Sequence, residues 1–344
     1  MLIQACYCVA SGLIALSAII GRLNPTDLIK MITIHVLGYG LLEQIVYTSI
    51  GAYDAGGSCT VHTYGAYFGL TVNLVLARYV LPKTRPERNY YSNLWGLMGT
   101  LFLWVFWPFF NFGIFAANSY ERTTIITNTY CSLTGSAVGA FIVTAMHGKG
   151  ILIEDLQHAT LVGGVAIAAS CGVVYIPAIS LTIGFLGGII STNLIHYLNR
   201  KVEKSFKLVD PHCVHSTHGI PGFVGVVVSG IIIMIYSSGV DTDYTNNFSV
   251  TSLFKMESNM LAVGGLQILA GLSALLIGVG LGFVAGKFIG LFYEEKEEMF
   301  FEDCTYFDRN LFLGMEDREI RYEEAPEKKK EKKERKERDR EKDR

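Results

Sequence analysis

Long apolar stretches with almost no charge recur along most of this 344-residue chain, and they constrain its fold more than any other feature. A stretch of about 20 apolar residues can cross the ~30 Å hydrocarbon core of a bilayer as a helix. Helices are required because each backbone polar group must be satisfied within its own segment. The sequence therefore predicts an all-α, polytopic transmembrane bundle of about nine helices. We place the spans at about 2–21, 28–50, 57–81, 93–116, 124–146, 158–176, 178–199, 212–236 and 260–292.

The distribution of charge divides the chain into a transmembrane domain, residues 1–293, and a tail, residues 294–344. From Glu327 onward the tail is almost wholly Lys, Arg, Glu and Asp. Such a segment cannot bury a core, so we expect it to be disordered or helical from about residue 324. It could attract anionic lipid or act only as a solubilising tail.

Basic residues in the loops predict the orientation of the chain. The loops at 82–92 and 200–211 and the C-terminal tail are rich in Lys and Arg, so the positive-inside rule places them in the cytoplasm. The N-terminus and the loop at 237–259 then face outside. Asn247, in an Asn-Phe-Ser sequon within that outer loop, is a candidate N-glycosylation site.

Small residues inside the apolar spans indicate close helix packing. Of the 36 glycines, Gly278, Gly282 and Gly286 recur at four-residue spacing. In a bilayer, small residues let helix backbones approach one another, so we expect a compact bundle. The thiols of Cys6 and Cys8 and the run His212–His215 could ligate a metal, but we expect the cysteines to behave as small buried hydrophobes.

Two distant segments share an unusual pattern that carries the chemistry. Asp54 precedes His62 by eight residues at the start of one span, and Asp210 precedes His218 by eight residues at the start of another. Eight residues of helix rise about 12 Å, which carries each imidazole from the interface toward the middle of the membrane. Because the two spans run in opposite directions, we expect the histidines to converge, as in an inverted-topology repeat.

Intramembrane polar groups usually mark a pathway, a relay or a packed polar contact. Two adjacent imidazoles can share one proton and leave other ring nitrogens facing a lumen, which suits a small uncharged polar molecule such as NH₃. Alternatively, each histidine only satisfies a neighbouring backbone group. The two acids could likewise attract a cation to each mouth or cap the start of a helix.

Seven segments carry further motifs, in order along the chain to about residue 307: Asp54–Leu70, Gly99–Trp104, Trp107–Asn111, Asn128–Ser132, Ala159–Leu161, His218–Gly222 and Phe301–Asp303. These motifs resemble those of the Rhesus glycoproteins, a branch of the ammonium transporter family. The resemblance implies an integral plasma-membrane protein that forms a homotrimer, each subunit enclosing its own hydrophobic pore for ammonia or ammonium, with carbon dioxide as a second candidate. It implies no enzyme activity, cofactor, resident metal or nucleic-acid partner.

The resemblance also assigns roles to residues. The paired pore histidines of the family fall on His62 and His218, and its two pseudo-symmetric acids on Asp54 and Asp210. Its two stacked phenylalanines above the pore fall on Tyr7 and Phe110. The Tyr7 hydroxyl is a departure that could polarise the gate or add a donor to the vestibule, and His158 replaces a residue that is usually Asn.

Length is the largest departure, since the family core has eleven helices in two inverted halves plus one more. The sequence therefore predicts an N-terminally truncated pore domain, either an incomplete gene product or a shortened protein. The main hypothesis is an ammonia channel. The alternative is a non-conducting subunit with a structural or assembly role, and a membrane metalloenzyme is a third, poorly supported hypothesis.

Overall fold

The computed structural model describes residues 2–77, 90–113, 119–148, 150–206, 208–237 and 259–292. Within these ranges every regular element is a helix, as the sequence predicts. Some residues on which the predicted orientation and glycosylation depend are not among these described residues. Lys83, Arg85, Arg88, the sequon at Asn247 and the tail from residue 294 lie outside the described residues.

The helices of the described ranges are numbered in chain order. They are α1 (Leu2–Ser17), α2 (Pro25–Glu43), α3 (Tyr64–Leu76), α4 (Tyr90–Phe112), α5 (Ser119–Met146), α6 (Ile153–Ala159), α7 (Val162–Ile167), α8 (Pro177–Asn193), α9 (Asn199–Phe206), α10 (Ile220–Ser237) and α11 (Met260–Gly290). Four π-helical turns extend these helices: Gln44–Ile50 after α2, Ser58–Thr63 before α3, Leu194–Leu198 before α9 and His215–Gly219 before α10.

The outer surface of the bundle is apolar, which is typical of a protein surrounded by lipid. Helix α4 buries Thr100, Trp107, Pro108 and Asn111 and exposes most of its large apolar side chains. Since water-soluble helices bury their apolar face, this inverted arrangement supports a multi-pass membrane protein. Six helical segments of the described residues are long and apolar enough to cross a bilayer: Pro25–Ile50, Tyr90–Phe112, Glu121–Met146, Pro177–Leu198, His215–Ile235 and Met260–Gly290.

The span expected at 158–176 differs from an uninterrupted helix. It contains the end of α6 and all of α7, and the chain from 168 onward is irregular. Irregular backbone is tolerated at membrane depth only where neighbouring protein groups satisfy it. Ser58 provides two such bonds, donating from Oγ to the Val165 carbonyl at 2.7 Å and accepting from the Ala169 N–H at 2.9 Å. Asn128 Nδ2 donates to the Cys171 and Val174 carbonyls, Ser132 Oγ to that of Gly163, and Ser229 Oγ to that of Ala169.

Glycines mark the closest contacts between helices. On α11, a Cβ at Gly278 would lie 3.0 Å from the Tyr64 carbonyl oxygen, and one at Gly282 would lie 2.5 Å from that of Phe68. On α8, a Cβ at Gly184 would lie 1.9 Å from a backbone oxygen of α5. No side chain fits at these positions without displacing backbone. The compact packing expected from the glycine pattern is therefore present at the α3–α11 and α5–α8 contacts.

The two histidine-bearing segments run in opposite directions where they meet. Gly219, at the start of α10, lies against the ring of Tyr67, whereas Gly222 lies against Ser58, Thr63 and His62. Residue numbers therefore rise along one segment as they fall along the other. This antiparallel crossing brings the starts of α3 and α10 together inside the bundle.

Candidate functional site

An aspartate caps the start of each histidine-bearing segment. Asp54 is fully buried, and its carboxylate accepts the N–H groups of Cys59 at 3.1 Å and Thr60 at 2.8 Å, as well as the Thr60 hydroxyl at 2.9 Å. Asp210 accepts the N–H groups of Val214 and His215, each at 2.9 Å. The first N–H groups of a helix have no partner within the helix. A carboxylate at that end accepts their hydrogen bonds and interacts favourably with the positive end of the helix dipole.

The two acids lie between membrane-spanning segments and share one electrostatic feature. Burial raises the pKa of Asp54 to about 6, although the backbone amides that it accepts act in the opposite direction. Burial likewise raises the pKa of Asp210 to about 6, against the amides of His215 and Val214. Both groups are therefore mainly ionised at neutral pH and lose their charge when the pH falls below about 6.

His62 and His218 meet inside the bundle. The Nδ1 atoms of the two rings lie 3.2 Å apart, and the ring planes differ by 14°. Each imidazole belongs to a π-helical turn, Ser58–Thr63 and His215–Gly219 respectively. Such turns widen a helix locally and are frequent at functional sites. Here they place one ring from each segment at the antiparallel crossing.

The contact between the two Nδ1 atoms determines which ring nitrogens remain able to form hydrogen bonds with a third molecule. For neutral rings, one Nδ1 carries the shared proton and the other accepts it. The ring that donates from Nδ1 then has a bare Nε2, and its partner has a protonated Nε2. The pair thus presents one acceptor and one donor, which complements a small molecule that can both donate and accept.

Aromatic rings enclose His62. The Trp107 ring is stacked on it at 5.9 Å between centroids, and Phe110 lies at 6.4 Å. Among the described residues, His62 Nε2 and Trp107 Nε1 are buried polar atoms with no hydrogen-bond partner in the protein. A buried polar atom left without a partner is costly, so its presence in an aromatic enclosure is typical of a place visited by a polar ligand.

Tyr7 and Phe110 form a closed stack next to the histidines. Their ring centroids lie 4.3 Å apart with 16° between the planes, and Tyr7 is 2% exposed. The Tyr7 hydroxyl does not point toward an open vestibule as a free donor. It donates to the backbone carbonyl of Phe110.

Other histidines lie apart from the pair. His158 and His212 approach each other at 6.3 Å between ring centroids, near the segment that Asp210 caps. His35, on α2, is fully buried and shares a hydrogen bond with Ser11 at 3.1 Å. In the described part of the chain, no three His, Cys, Asp or Glu side chains converge in a way that could hold a metal ion.

Sequence reasoning missed Trp107 as a neighbour of the histidine pair, and it missed His35 altogether. Trp107 precedes Phe110 by three residues on the same helix, so the two share a face, and this spacing could have identified it. The signal for His35 is a lone imidazole in the middle of an apolar span.

Fold and site together define a class of protein: a multi-pass helical membrane protein with polar side chains enclosed at an antiparallel crossing, as in channels and transporters. The sequence profile of the Ammonium Transporter Family matches residues 3–310. The chain belongs to this family, and within it to the Rhesus branch.

Individual relatives agree with this assignment. The Ammonium transporter Rh type B-A of Xenopus laevis is 34% identical over 322 residues, covering 89% of this chain and 68% of that protein. The Rh type C ammonium transporter of Canis lupus familiaris is 32% identical over 318 residues, with the same coverage of 89% and 68%. The solved structure of Nitrosomonas europaea Rh50, a Rhesus family channel, matches with a TM-score of 0.74 and 28% identity, covering 89% of this chain and 74% of that one.

Proposed function

We propose that this chain is an ammonia and ammonium channel in which uncharged NH₃ passes the His62–His218 pair. The observation that carries the proposal is the 3.2 Å contact between the two Nδ1 atoms, inside an enclosure of aromatic rings. The names of the relatives, which are ammonium transporters of the Rh type, support the same substrate.

The chemistry of the enclosure favours the neutral molecule. An ammonium ion that leaves water for an apolar passage loses several kcal/mol of solvation unless a counter-charge accompanies it. Asp54 and Asp210 provide negative charge only at the starts of the two segments. Ammonium is therefore attracted to a mouth, where water accepts its proton, and the molecule continues as NH₃. The donor and the acceptor of the histidine pair replace part of the water that NH₃ loses.

The finer features of the assembly are also proposals. The family resemblance supports a homotrimer with one pore per subunit, placed in the plasma membrane. Loop charges support a cytoplasmic C-terminus and an outer sequon at Asn247. Carbon dioxide is a second candidate permeant because it is small and uncharged, as NH₃ is.

The test is ammonia flux into proteoliposomes, followed by the internal pH after a rapid ammonium gradient. We expect the double variant His62→Ala with His218→Ala to lower the ammonia permeability roughly five- to thirtyfold, the factor that corresponds to about 1–2 kcal/mol of lost hydrogen bonding. The variant His147→Ala is the control, since His147 lies at the end of α5 and contacts His196 rather than the pair. Unchanged flux in the double variant would refute the proposal.

The same assay tests the alternative of a non-conducting subunit. That alternative predicts that vesicles with the wild-type chain alone take up ammonia no faster than empty vesicles. Robust flux from the chain alone would exclude it.

A further inference from the structure

The hydroxyl of Tyr7 is a polar group next to the candidate pore that ammonia conduction itself does not require. The Tyr7 ring is stacked on Phe110, and its hydroxyl donates to the backbone carbonyl of that same residue. The hydroxyl oxygen also lies 3.4 Å from the Ala55 carbonyl oxygen, in the loop that follows Asp54. One side chain thus joins α1, the end of α4 and the Asp54 loop.

The end of α4 is built to accept this bond. Helix α4 ends at Phe112, and the last carbonyls of a helix have no partner within the helix. The Phe110 carbonyl accepts the Gly113 N–H at 3.2 Å, and its second lone pair is available to the tyrosine. A Cβ at Gly113 would lie only 3.1 Å from the Tyr7 hydroxyl oxygen, so glycine at this position leaves the room that the hydroxyl occupies.

The bond restricts how the stack can open. The Phe110 ring lies 6.4 Å from His62, so a molecule that approaches His62 from this side must displace the stacked rings. A phenylalanine at position 7 would be held only by its Cα and by packing. Tyr7 is held at both ends, by its Cα on α1 and by its hydroxyl on the backbone of α4, so it cannot swing aside without breaking the hydrogen bond.

We propose that Tyr7 is a positioning residue whose hydroxyl bond to Phe110 holds the aromatic stack closed, slowing ammonia and discriminating against larger amines. The inference rests on the proposed channel function and deepens it. A larger amine must displace the rings further on its way to His62. Its passage therefore disrupts the bond between Tyr7 and Phe110 more than the passage of ammonia does.

The variant Tyr7→Phe tests the proposal because it keeps the ring and removes only the hydroxyl. In proteoliposomes we expect its ammonia permeability to rise roughly two- to tenfold, the factor that corresponds to one net hydrogen bond. We expect methylamine permeability to rise by a larger factor, so that the ratio of methylamine to ammonia increases. Gly113→Ala, whose Cβ crowds the hydroxyl, should shift both quantities in the same direction.

The control is Tyr64→Phe. The Tyr64 hydroxyl is also buried and also donates to a backbone carbonyl, that of His35 at 2.9 Å, but on the α2 side of α3 and away from the stack. We expect this variant to keep the wild-type flux and the wild-type ratio. An equal change in Tyr64→Phe would overturn the proposal, because it would show general loosening of the bundle.

The outcomes separate this inference from the channel function. If the wild type and Tyr7→Phe both conduct, with the same flux and the same amine ratio, the proposed role of the hydroxyl is overturned. The channel function would still be supported in that case. Flux in Tyr7→Phe but not in the wild type would support a stack that the hydroxyl holds shut. An absence of flux in both would refute the channel, and the positioning role with it.

Discussion

The His62–His218 pair combines a hydrogen bond between its two rings with a buried ring nitrogen of His62 that has no partner among the described residues. Each imidazole of the His62–His218 pair uses one nitrogen for its partner. The remaining His62 nitrogen is buried among rings, and no hydrogen-bond partner for it exists in the described part of the protein. Burying an amide-like group without a partner costs roughly 1–3 kcal/mol in proteins. A molecule that supplies the missing hydrogen bond would recover that cost, and under the proposed function this is how the pair would lower the barrier for NH₃.

Ammonium recruitment should depend on pH through the two aspartates. Both carboxyls have a pKa raised to about 6 by burial, so each is charged at pH 7 and neutral at pH 5. Ammonium itself stays protonated across this range, but the small NH₃ fraction that can permeate falls about tenfold for each unit of pH. We expect channel-mediated uptake, divided by the NH₃ concentration, to fall by roughly two- to fivefold as the pH of the outer solution falls through about 6, the effect of losing one screened charge.

Reconstituted protein inserts in both orientations, but the shared pKa makes either mouth respond in the same way. The measurement is the initial rate of uptake at constant total ammonium, with empty vesicles subtracted. A ratio of rate to NH₃ concentration that stays flat from pH 7.5 to pH 5 would contradict a role for these charges in recruitment.

The helices include closely packed pairs and one segment whose backbone is irregular, and the two features have different roles. Glycines bring α5 against α8 and α3 against α11 so closely that a Cβ at the contact would meet the backbone of the other helix. Between them, the segment that contains α6 and α7 is interrupted, and serine and asparagine side chains from neighbouring helices satisfy its backbone. The closely packed pairs therefore flank an irregular segment that lies beside the site, in contact with Ser58.

The α5–α8 contact gives a stability prediction. A Cβ at Gly184 would lie 1.9 Å from the Ser132 carbonyl oxygen, so Gly184→Ala must push two helix backbones apart. We expect it to lower the free energy of unfolding by about 1–3 kcal/mol, the usual cost of overpacking. The measurement is equilibrium unfolding in mixed micelles with increasing denaturing detergent.

Gly280 provides the matched control, because a Cβ there would meet nothing within 4 Å. Gly280→Ala should be neutral or slightly stabilising, since alanine favours a helix over glycine. Equal stabilities for Gly184→Ala and Gly280→Ala would mean that the α5–α8 contact is looser than the structure has it.

For the whole molecule, the sequence predicts the helical class and most of the spans because hydrophobic length alone decides them. It predicts the meeting of His62 and His218 because a repeated Asp-to-His spacing on opposed spans leaves few arrangements. It does not predict the irregular chain from residue 168 onward, since the compensating bonds come from Ser58 and Asn128, far away in sequence. The sequence also does not predict the hydrogen-bond acceptor of the Tyr7 hydroxyl, because that acceptor is a backbone carbonyl on another helix.

In the proposed channel, the permeating molecule is uncharged when it passes the histidine pair. The sign of the internal pH change tests this in proteoliposomes after an ammonium gradient is imposed, recorded at several clamped membrane potentials. Influx of NH₃ consumes internal protons, so we expect rapid alkalinisation at a rate independent of the potential. Internal acidification, or a rate that rises with inside-negative potential, would show that charge crosses with the molecule and would refute passage as NH₃.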